Sequence, residues 1–450
     1  MAEAPIARTL ELSPVQEQER AYTLDVLRGV SVLGIFIVNI LFMAYTTHEA
    51  QDWSWSDLSP ADGLARGFIT FFGEMKFITL FSLLFGMGLA IQHQRAEARQ
   101  RPLGRVYIRR LFLLLALGLA HGFLLWYGDI LATYAILGFI TYACRNVSTK
   151  RLLITAIILM LVPVVGVGGC GIAFPEAMKG QNSSWAELAE AARRQVERSQ
   201  TSAPAVAKSG EETVTTQSAS HDDDPMVRFY EWMAREKEIY QSGSWSEITA
   251  HRAVTYLIVL FFVCLLMFSW RCLALFLLGI CAVRAGLFMD RAEHAPLYRR
   301  LIAVGLAIGL PLQAVALWTH FGNSREFGLL IVNFTCLYLG SLGFSAAYAG
   351  AVALMCLKDN WRLRMKPVAA VGRMALTNYL THSILAALLF HAYGFGFFGR
   401  ITYWQGLLVV FTVFAMQLIV SPLWLRAFRF GPAEWLWRCA AYGRREPLLR

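Results

Sequence analysis

The sequence predicts an all-α membrane protein, a bundle of about ten spanning helices interrupted by one long polar loop. Three observations carry that expectation. Hydrophobic residues make up 56% of the chain and charged residues 16%, well away from an average soluble domain. Apolar segments long enough to cross a bilayer recur along the chain. Several of them hold a charged or hydrogen-bonding residue in mid-segment, such as Asn39, Lys76 and His121. Bare hydrocarbon does not tolerate such groups unpaired, so they should face one another or a wet cavity.

Residues 1–23 are polar and acidic, without a basic n-region or an apolar h-region, so the first span is expected to act as its own signal anchor. The first membrane half, 24–174, divides into helices near 24–46, 64–91, 107–127, 129–145 and 151–174. Residues 175–250 then form a polar loop. It contains the run His221-Asp222-Asp223-Asp224, a Ser/Thr-rich middle at 199–220 read as flexible, and a helix-like stretch from Phe229 to Tyr240. The second half, 251–425, offers segments near 254–287, 298–319, 328–357, 368–395 and 402–425, and a basic tail follows at 426–450. Segment 254–287 exceeds one untilted helix, and Trp270-Arg271 is expected to interrupt it, leaving an interfacial or re-entrant piece before Leu273.

The net charge of +10 does not point to nucleic acid, because the basic residues lie between spans rather than on one soluble face. Arg95, Arg99, Arg101, Arg105, Arg109, Arg110, Arg145, Lys150, Arg151, Arg299, Arg300 and Lys358 mark one side, which the positive-inside rule makes cytoplasmic. The opposing short loops, 47–60 and 127–129, have no Lys or Arg but carry Glu49, Asp52, Asp57 and Asp129. Both termini are therefore expected in the cytoplasm and the polar loop outside. Trp53, Trp55 and Trp126 fall where interfacial aromatic belts sit. All eight cysteines lie in or beside apolar segments without the spacing of a zinc site, so they read as packing residues and no metal is expected.

Four polar groups fall at similar depth in consecutive helices: Asn39, Lys76, His121 and Asp129. A His/Asp pair supplies a general base with its orienting carboxylate, while Lys or Asn can stabilise a developing oxyanion. The structural alternative pairs Lys76 with Glu74 or Asp129 and lets His121 satisfy a backbone carbonyl. On the cytoplasmic side, Arg28, Arg109, Arg110 and Arg373 suit a phosphate pocket, although Arg28 is spaced to pair with Asp25. Asn378 and His382 share a helix face with Tyr379 nearby, a polar stripe that serves either a site or helix packing. The chain has no Walker loop, dinucleotide fingerprint, His-Glu-x-x-His helix or Gly-x-Ser-x-Gly elbow.

The stretches LDVLRGVSVLGIFIVN (24–39), KFITLFSLLFGMGLAIQ (76–92), GLAHGFLLWYGDILATYAILG (118–138), VGRMALTNYL (371–380) and FGPAEWLWR (430–438) resemble the YeiB family of bacterial membrane proteins. That resemblance implies the bacterial cytoplasmic (inner) membrane. The N-terminal half is also similar to the catalytic domain of heparan glucosaminide acetyltransferases, which carry an acetyl group from cytosolic acetyl-CoA to a sugar amine across the membrane. Arg28, Gly29 and Asn39 reproduce the spacing of that family's first catalytic helix, and Asp62 in PADGL matches its acidic residue. The catalytic His of that pattern falls at Ala50 here, with His48 the nearest histidine and His121 the alternative base.

The resulting expectation is an acyltransferase-like membrane protein with acyl-CoA or acetyl-CoA as donor at the arginine cluster. Its acceptor would be a small molecule or glycan reached through an outward cavity, with membrane lipid as surroundings. A transporter using the same buried charges is the competing expectation, and a purely structural or regulatory protein the third. No similarity between 24–174 and 254–425 marks an inverted repeat, which favours the enzyme.

Overall fold

In a computed structural model, which describes residues 21–51, 58–100, 102–173, 190, 194, 225–321 and 327–450, the first apolar run becomes α1 (Tyr22–Ala44), followed by the short α2 (Thr47–Gln51). Regular structure among the described residues is helical, apart from one isolated bridge between Phe428 and Leu449. The 199–220 stretch, the His221 to Asp224 run, Asp52, Trp53, Trp55 and Asp57 lie outside the described residues.

The expected span at 64–91 is bent in two. α3 (Pro60–Phe68) starts at Ser59, whose hydroxyl accepts the Asp62 N–H, and runs into a π-helical turn at Ile69–Gly73. Met75 then takes a left-handed φ of 63° before α4 (Lys76–Ala98) begins. The bend is held from inside, because the Lys76 ammonium donates to the Thr70 carbonyl of the π turn. α5 (Gly104–Leu124), α6 (Leu131–Ala143) and α7 (Thr149–Ala173) complete the first half.

Two short helices stand where one was expected before Tyr240: α8 (Pro225–Ala234) and α9 (Glu236–Ser242). α10 (Trp245–Ile258) opens with a capping box between Ser244 and Glu247. It continues without a break through a π-helical stretch, Val259–Phe268, into α11 (Ser269–Arg284). The interruption expected at Trp270-Arg271 is therefore absent. Arg271 does not need to leave the helix, since its guanidinium donates to the Tyr338 carbonyl and to the Thr79 and Ser341 hydroxyls. The 40-residue run is about 60 Å long, more than a bilayer core requires. Its first turns overhang the end of α5, where buried Arg252 donates to the carbonyls of Phe123 and Leu125.

The second half continues with α12 (Ala295–Phe321), α13 (Phe327–Cys356), α14 (Asp359–Arg364), α15 (Lys366–Arg373), α16 (Ala375–Phe390), α17 (Tyr403–Ala427) and α18 (Pro432–Tyr442). The segment expected at 368–395 breaks at Met374. Glu434 explains the break: its carboxylate accepts the N–H groups of Leu376 and Thr377, at 2.7 and 3.1 Å, and so caps a new helix. Eight described helices are long and apolar enough to cross a membrane. The other two of the expected ten, 129–145 and 368–395, yield the 13-residue α6 and the 16-residue α16.

The helices form a bundle whose outer surface is apolar: Ile157, Ile158, Phe261 and Phe262 are all more than half exposed. Such a surface belongs against hydrocarbon. The protein is a multi-pass membrane protein. Contacts between loops sort the helix ends onto two opposite faces. On one face, Asp290 accepts the Tyr22 and Thr23 N–H groups and Arg110 lies 4.3 Å over the Trp437 ring. On the other, Lys237 pairs with Glu49, Gln241 donates to the Phe398 carbonyl, and Asp62 accepts the Trp404 N–H.

Candidate functional site

Near the end of α5 the chain must reverse within a few residues, and the reversal builds a buried relay. The N–H groups of Leu125 and Trp126 both return to the His121 carbonyl, which closes the helix. Asp129 follows the turn with no exposure, and its Oδ2 accepts the Ala132 N–H at 2.9 Å, capping α6. Gly118 permits this approach, because an added Cβ would collide with the Ala132 backbone. The remaining carboxylate oxygen, Oδ1, lies 2.9 Å from His121 Nδ1. On the far side of the ring, His121 Nε2 lies 2.8 Å from the Ser383 hydroxyl of α16.

The three side chains are buried, Ser383 at 1% exposure and His121 at 2%. An ionised carboxylate only accepts hydrogen bonds, so Asp129 places the imidazole proton on Nδ1. Nε2 is then left to accept the Ser383 hydroxyl proton. That is the hydrogen-bond order of a serine nucleophile, its general base and the carboxylate that orients the base. The Tyr379 ring packs 5.2 Å from the imidazole. Ser383 opens onto a cavity of about 10 Å³, walled by Trp126, Tyr127, Tyr240, His391 and Phe398. It has room for roughly one water molecule. His391 Nδ1 is 2.7 Å from the Tyr393 hydroxyl, and the Tyr240 ring lies 4.9 Å from the imidazole.

Of the four groups expected to converge, the structure brings two together. Lys76 belongs to a separate network, donating to the Thr70 carbonyl at 2.6 Å and Gln313 Oε1 at 2.8 Å. It pairs with neither Glu74 nor Asp129. Asn39 is half-buried on α1 and has no side-chain hydrogen bond among the described residues. His48 is half-buried on α2. Asp62 is buried, its oxygens on the Ser59 hydroxyl and the Trp404 N–H, where it ties α3 to α17.

The arginines are divided between two helix contacts. Arg28 pairs with Asp25 at 2.7 Å, near where α1 crosses α15, which ends in Arg373. Arg109 and Arg110 belong to the α5–α18 contact, Arg110 hydrogen-bonded to Gln92 and stacked on Trp437. Asn378 donates to the Val371 carbonyl and the Ser421 hydroxyl, and His382 bonds Gln417 while stacking 4.0 Å from Phe36. This part of the stripe joins α16 to α17. Among the described residues no cluster of His, Cys, Asp or Glu has the makings of a metal site.

Ser383 escaped the sequence reading because a serine in an apolar helix usually satisfies its own backbone. A second missed feature is a cleft of about 610 Å³ on the arginine-rich face, lined by His93, Glu97, Arg145, Ser148, Thr149 and Arg284 among others. Its volume is in the range of small-molecule sites.

Residues 282–444 match the family described as Protein of unknown function (DUF418). The chain is 32% identical to Uncharacterized protein YxaH of Bacillus subtilis (strain 168), over 98% of each chain. It is 30% identical to Uncharacterized protein YeiB of Escherichia coli (strain K12), over 93% of this chain and 96% of that one. A third relative, from Bacillus acidopullulyticus and named an uncharacterized 39.9 kDa protein in the amylase 3' region, is 26% identical over 97% of this chain and 98% of its own.

Proposed function

Because the chain belongs to the YeiB family of membrane proteins, whose relatives carry no activity in their names, we propose its activity from the site: acyl transfer within the membrane at Ser383. The observation that carries this reading is the double hydrogen bonding of His121, to Asp129 on one nitrogen and Ser383 on the other.

In the proposed reaction His121 Nε2 takes the Ser383 proton as Oγ attacks the donor carbonyl. The donor's ester or thioester bond breaks, and the proton passes to the departing alcohol or thiol. An acyl-Ser383 ester results. A hydroxyl or amine of the acceptor then attacks that ester, with His121 taking its proton and returning it to Ser383. Asp129 holds the imidazole orientation and stabilises the imidazolium. The donor of choice is acyl-CoA or acetyl-CoA, whose phosphates match the guanidinium groups of the arginine-rich face. The distribution of Lys and Arg supports a cytoplasmic location for that face, with both termini inside, and the family resemblance supports a bacterial inner membrane. The Ser383 cavity then opens toward the outside, where a small-molecule or glycan acceptor is met. Transport, the competing expectation, draws on Lys76, which takes no part in this scheme.

The test is labelling of the purified protein in nanodiscs with a fluorophosphonate, a probe of activated serines that needs no knowledge of the donor. Ser383 should be modified, and His121→Asn and Ser383→Ala should abolish the signal. A correctly folded protein that stays unlabelled, and that gains no acyl mass when incubated with acetyl-CoA, would sink the proposal.

A further inference from the structure

The cleft of about 610 Å³ on the arginine-rich face shares no residue with the Ser383 relay. Three parts of the chain enclose it. Leu89, Ala90 and Ile280 give it an apolar wall where α4 packs on α11, and the turn from α6 into α7 closes it with Arg145, Ser148 and Thr149. Arg284, the last residue of α11, reaches across to that turn. Its Nη1 donates to the Val147 carbonyl at 2.6 Å and its Nη2 to the Arg145 carbonyl at 2.5 Å. The turn is thereby fixed beside the guanidinium, with the Thr149 hydroxyl 3.4 Å from Nη1.

Among the described residues, no ion pair neutralises either arginine. Arg145 donates to the Tyr142 carbonyl at 3.0 Å and lies 4.1 Å over the Tyr142 ring, while Arg284 spends its bonds on the two carbonyls and Thr149. Glu97 is the one carboxylate among the described lining residues, and it faces His93 Nε2 at 3.4 Å instead. Two guanidinium groups therefore outnumber a single acid, and exposed Lys150 and Arg151 follow directly in the chain. The Leu152 N–H returns to the Ser148 carbonyl at 3.0 Å, so α7 begins at the cleft and its first-turn N–H groups have no acceptor within the helix. Guanidinium forks, hydroxyls and a helix start are donors that phosphate oxygens accept from. No Phe, Tyr or Trp is among the described lining residues, so the cleft offers a nucleobase no such ring to stack on. An apolar strip leads away from it. Leu153 and Ile157 follow Thr149 by one and two turns of α7, at 44% and 55% exposure, on a helix long and apolar enough to span a membrane.

We infer that this cleft binds a phosphodiester, and that its source is an anionic phospholipid of the adjoining leaflet. The phosphate is taken by Arg145, Arg284 and the start of α7, and an acyl chain runs along Leu153 and Ile157. Basic pockets between membrane helices recognise lipid headgroups through this chemistry. Because the arginines outnumber Glu97, a headgroup with a net negative charge is favoured over a zwitterionic one.

The experiment is native mass spectrometry of the full-length protein in detergent, titrated with phosphatidylglycerol, with phosphatidylcholine, and with glycerophosphoglycerol, the headgroup without its acyl chains. One phosphatidylglycerol should be retained per chain, roughly tenfold more tightly than phosphatidylcholine. Arg145→Gln and Arg284→Gln should each weaken it by roughly tenfold, whereas Glu97→Gln should strengthen it, a gain that a merely damaged fold would not give. If Arg284→Gln fails to fold, Thr149→Val joins Arg145→Gln as the test. Removing the same charge elsewhere on that face, at exposed Arg299 and Arg300, should leave retention unchanged, as should Ser383→Ala. Weak binding of glycerophosphoglycerol beside tight binding of the lipid identifies the source as lipid; equal affinities identify a soluble phosphodiester at the same phosphate site. Equal retention of the two lipids would overturn the inference, as would full retention in well-folded Arg145→Gln, an equal loss on replacing Arg299 and Arg300, or binding of coenzyme A but of neither lipid nor headgroup.

Discussion

Asp129 decides what His121 can do. Replacing it with Asn keeps the shape but offers an amide that can donate to Nδ1, which moves the ring proton to Nε2 and removes the base facing Ser383. Asp129→Asn is expected to slow fluorophosphonate labelling by roughly 10³- to 10⁴-fold, with the size-exclusion profile unchanged. Asp129→Ala should also destabilise the fold, by about 3 kcal/mol, because the Ala132 N–H and His121 Nδ1 lose their acceptor in a dry interior. Thermal unfolding in detergent would read that loss. The pairing of His121 with Asp129 was legible in the sequence, since the two stand eight residues apart across a tight reversal. Ser383 was not, because it comes from 262 residues further along the chain, and no local pattern reports a contact of that kind. Lys76 shows both sides of the matter. Its need for buried partners could be read directly, but Gln313, which is 237 residues away, could not.

At the scale of elements, α9 contributes Tyr240 to the wall of the Ser383 cavity and is held there mostly by polar contacts. Glu236 accepts the Thr47 N–H and hydroxyl at 2.8 and 3.0 Å, Lys237 pairs with Glu49 at 2.8 Å, and Tyr240 stacks on Phe398 at 4.6 Å. Glu236 is itself buried, which pushes its carboxyl from 4.5 up to about 7 against the opposing pull of the Thr47 hydrogen bonds, with nearby Glu49 adding to the rise. Glu49 is held low through its bonds to Lys237 and Thr46, against its own burial. Tyr127 and Tyr240 also face Glu236. A docked helix whose acid has a raised value binds a proton more tightly than the undocked one. Docking is therefore strongest below about pH 4.5 and weakens as pH rises to about 7, by an amount on the order of 3 kcal/mol. Hydrogen exchange over residues 236–242 should accelerate across that window, and Glu236→Gln should flatten the dependence. Helix identities at this scale were legible from apolar length. The bend at Met75 was not, since a left-handed φ on methionine leaves no compositional mark. The unbroken run through Arg271 was missed for the opposite reason: a charge in the sequence suggests an exit, but its partners on α13 keep it inside.

For the whole molecule, the two halves meet backbone to backbone where α4 packs on α11, at Gly86 and Gly279, and where α1 crosses α15. An added Cβ at Gly372 would strike the Asp25 carbonyl oxygen, and one at Gly29 the Val368 carbonyl. Gly372→Ala should thus be among the most disruptive small changes available, costing about 1–3 kcal/mol from overpacking and reducing the yield of monodisperse protein. The overall architecture was legible because hydrocarbon imposes one solution on the backbone, namely helices with internally satisfied hydrogen bonds. How the halves join was not, since it rests on glycine contacts distributed across the chain. That crossing, at Asp25 to Gly29, sits near the start of α1, whereas the polar docking of α9 begins at Thr47, just past its end and about 30 Å away. The first helix is thus buried along its length, from Leu27 to Ala44, and the clasp that α9 makes just past its end is the polar, loosely held part. A motion that admits an acceptor is therefore expected to lift α9 away from Thr47 and Glu49 and leave α1 in place. A disulfide between Cys residues placed at positions 49 and 237 should shut the clasp and suppress labelling of Ser383 until it is reduced.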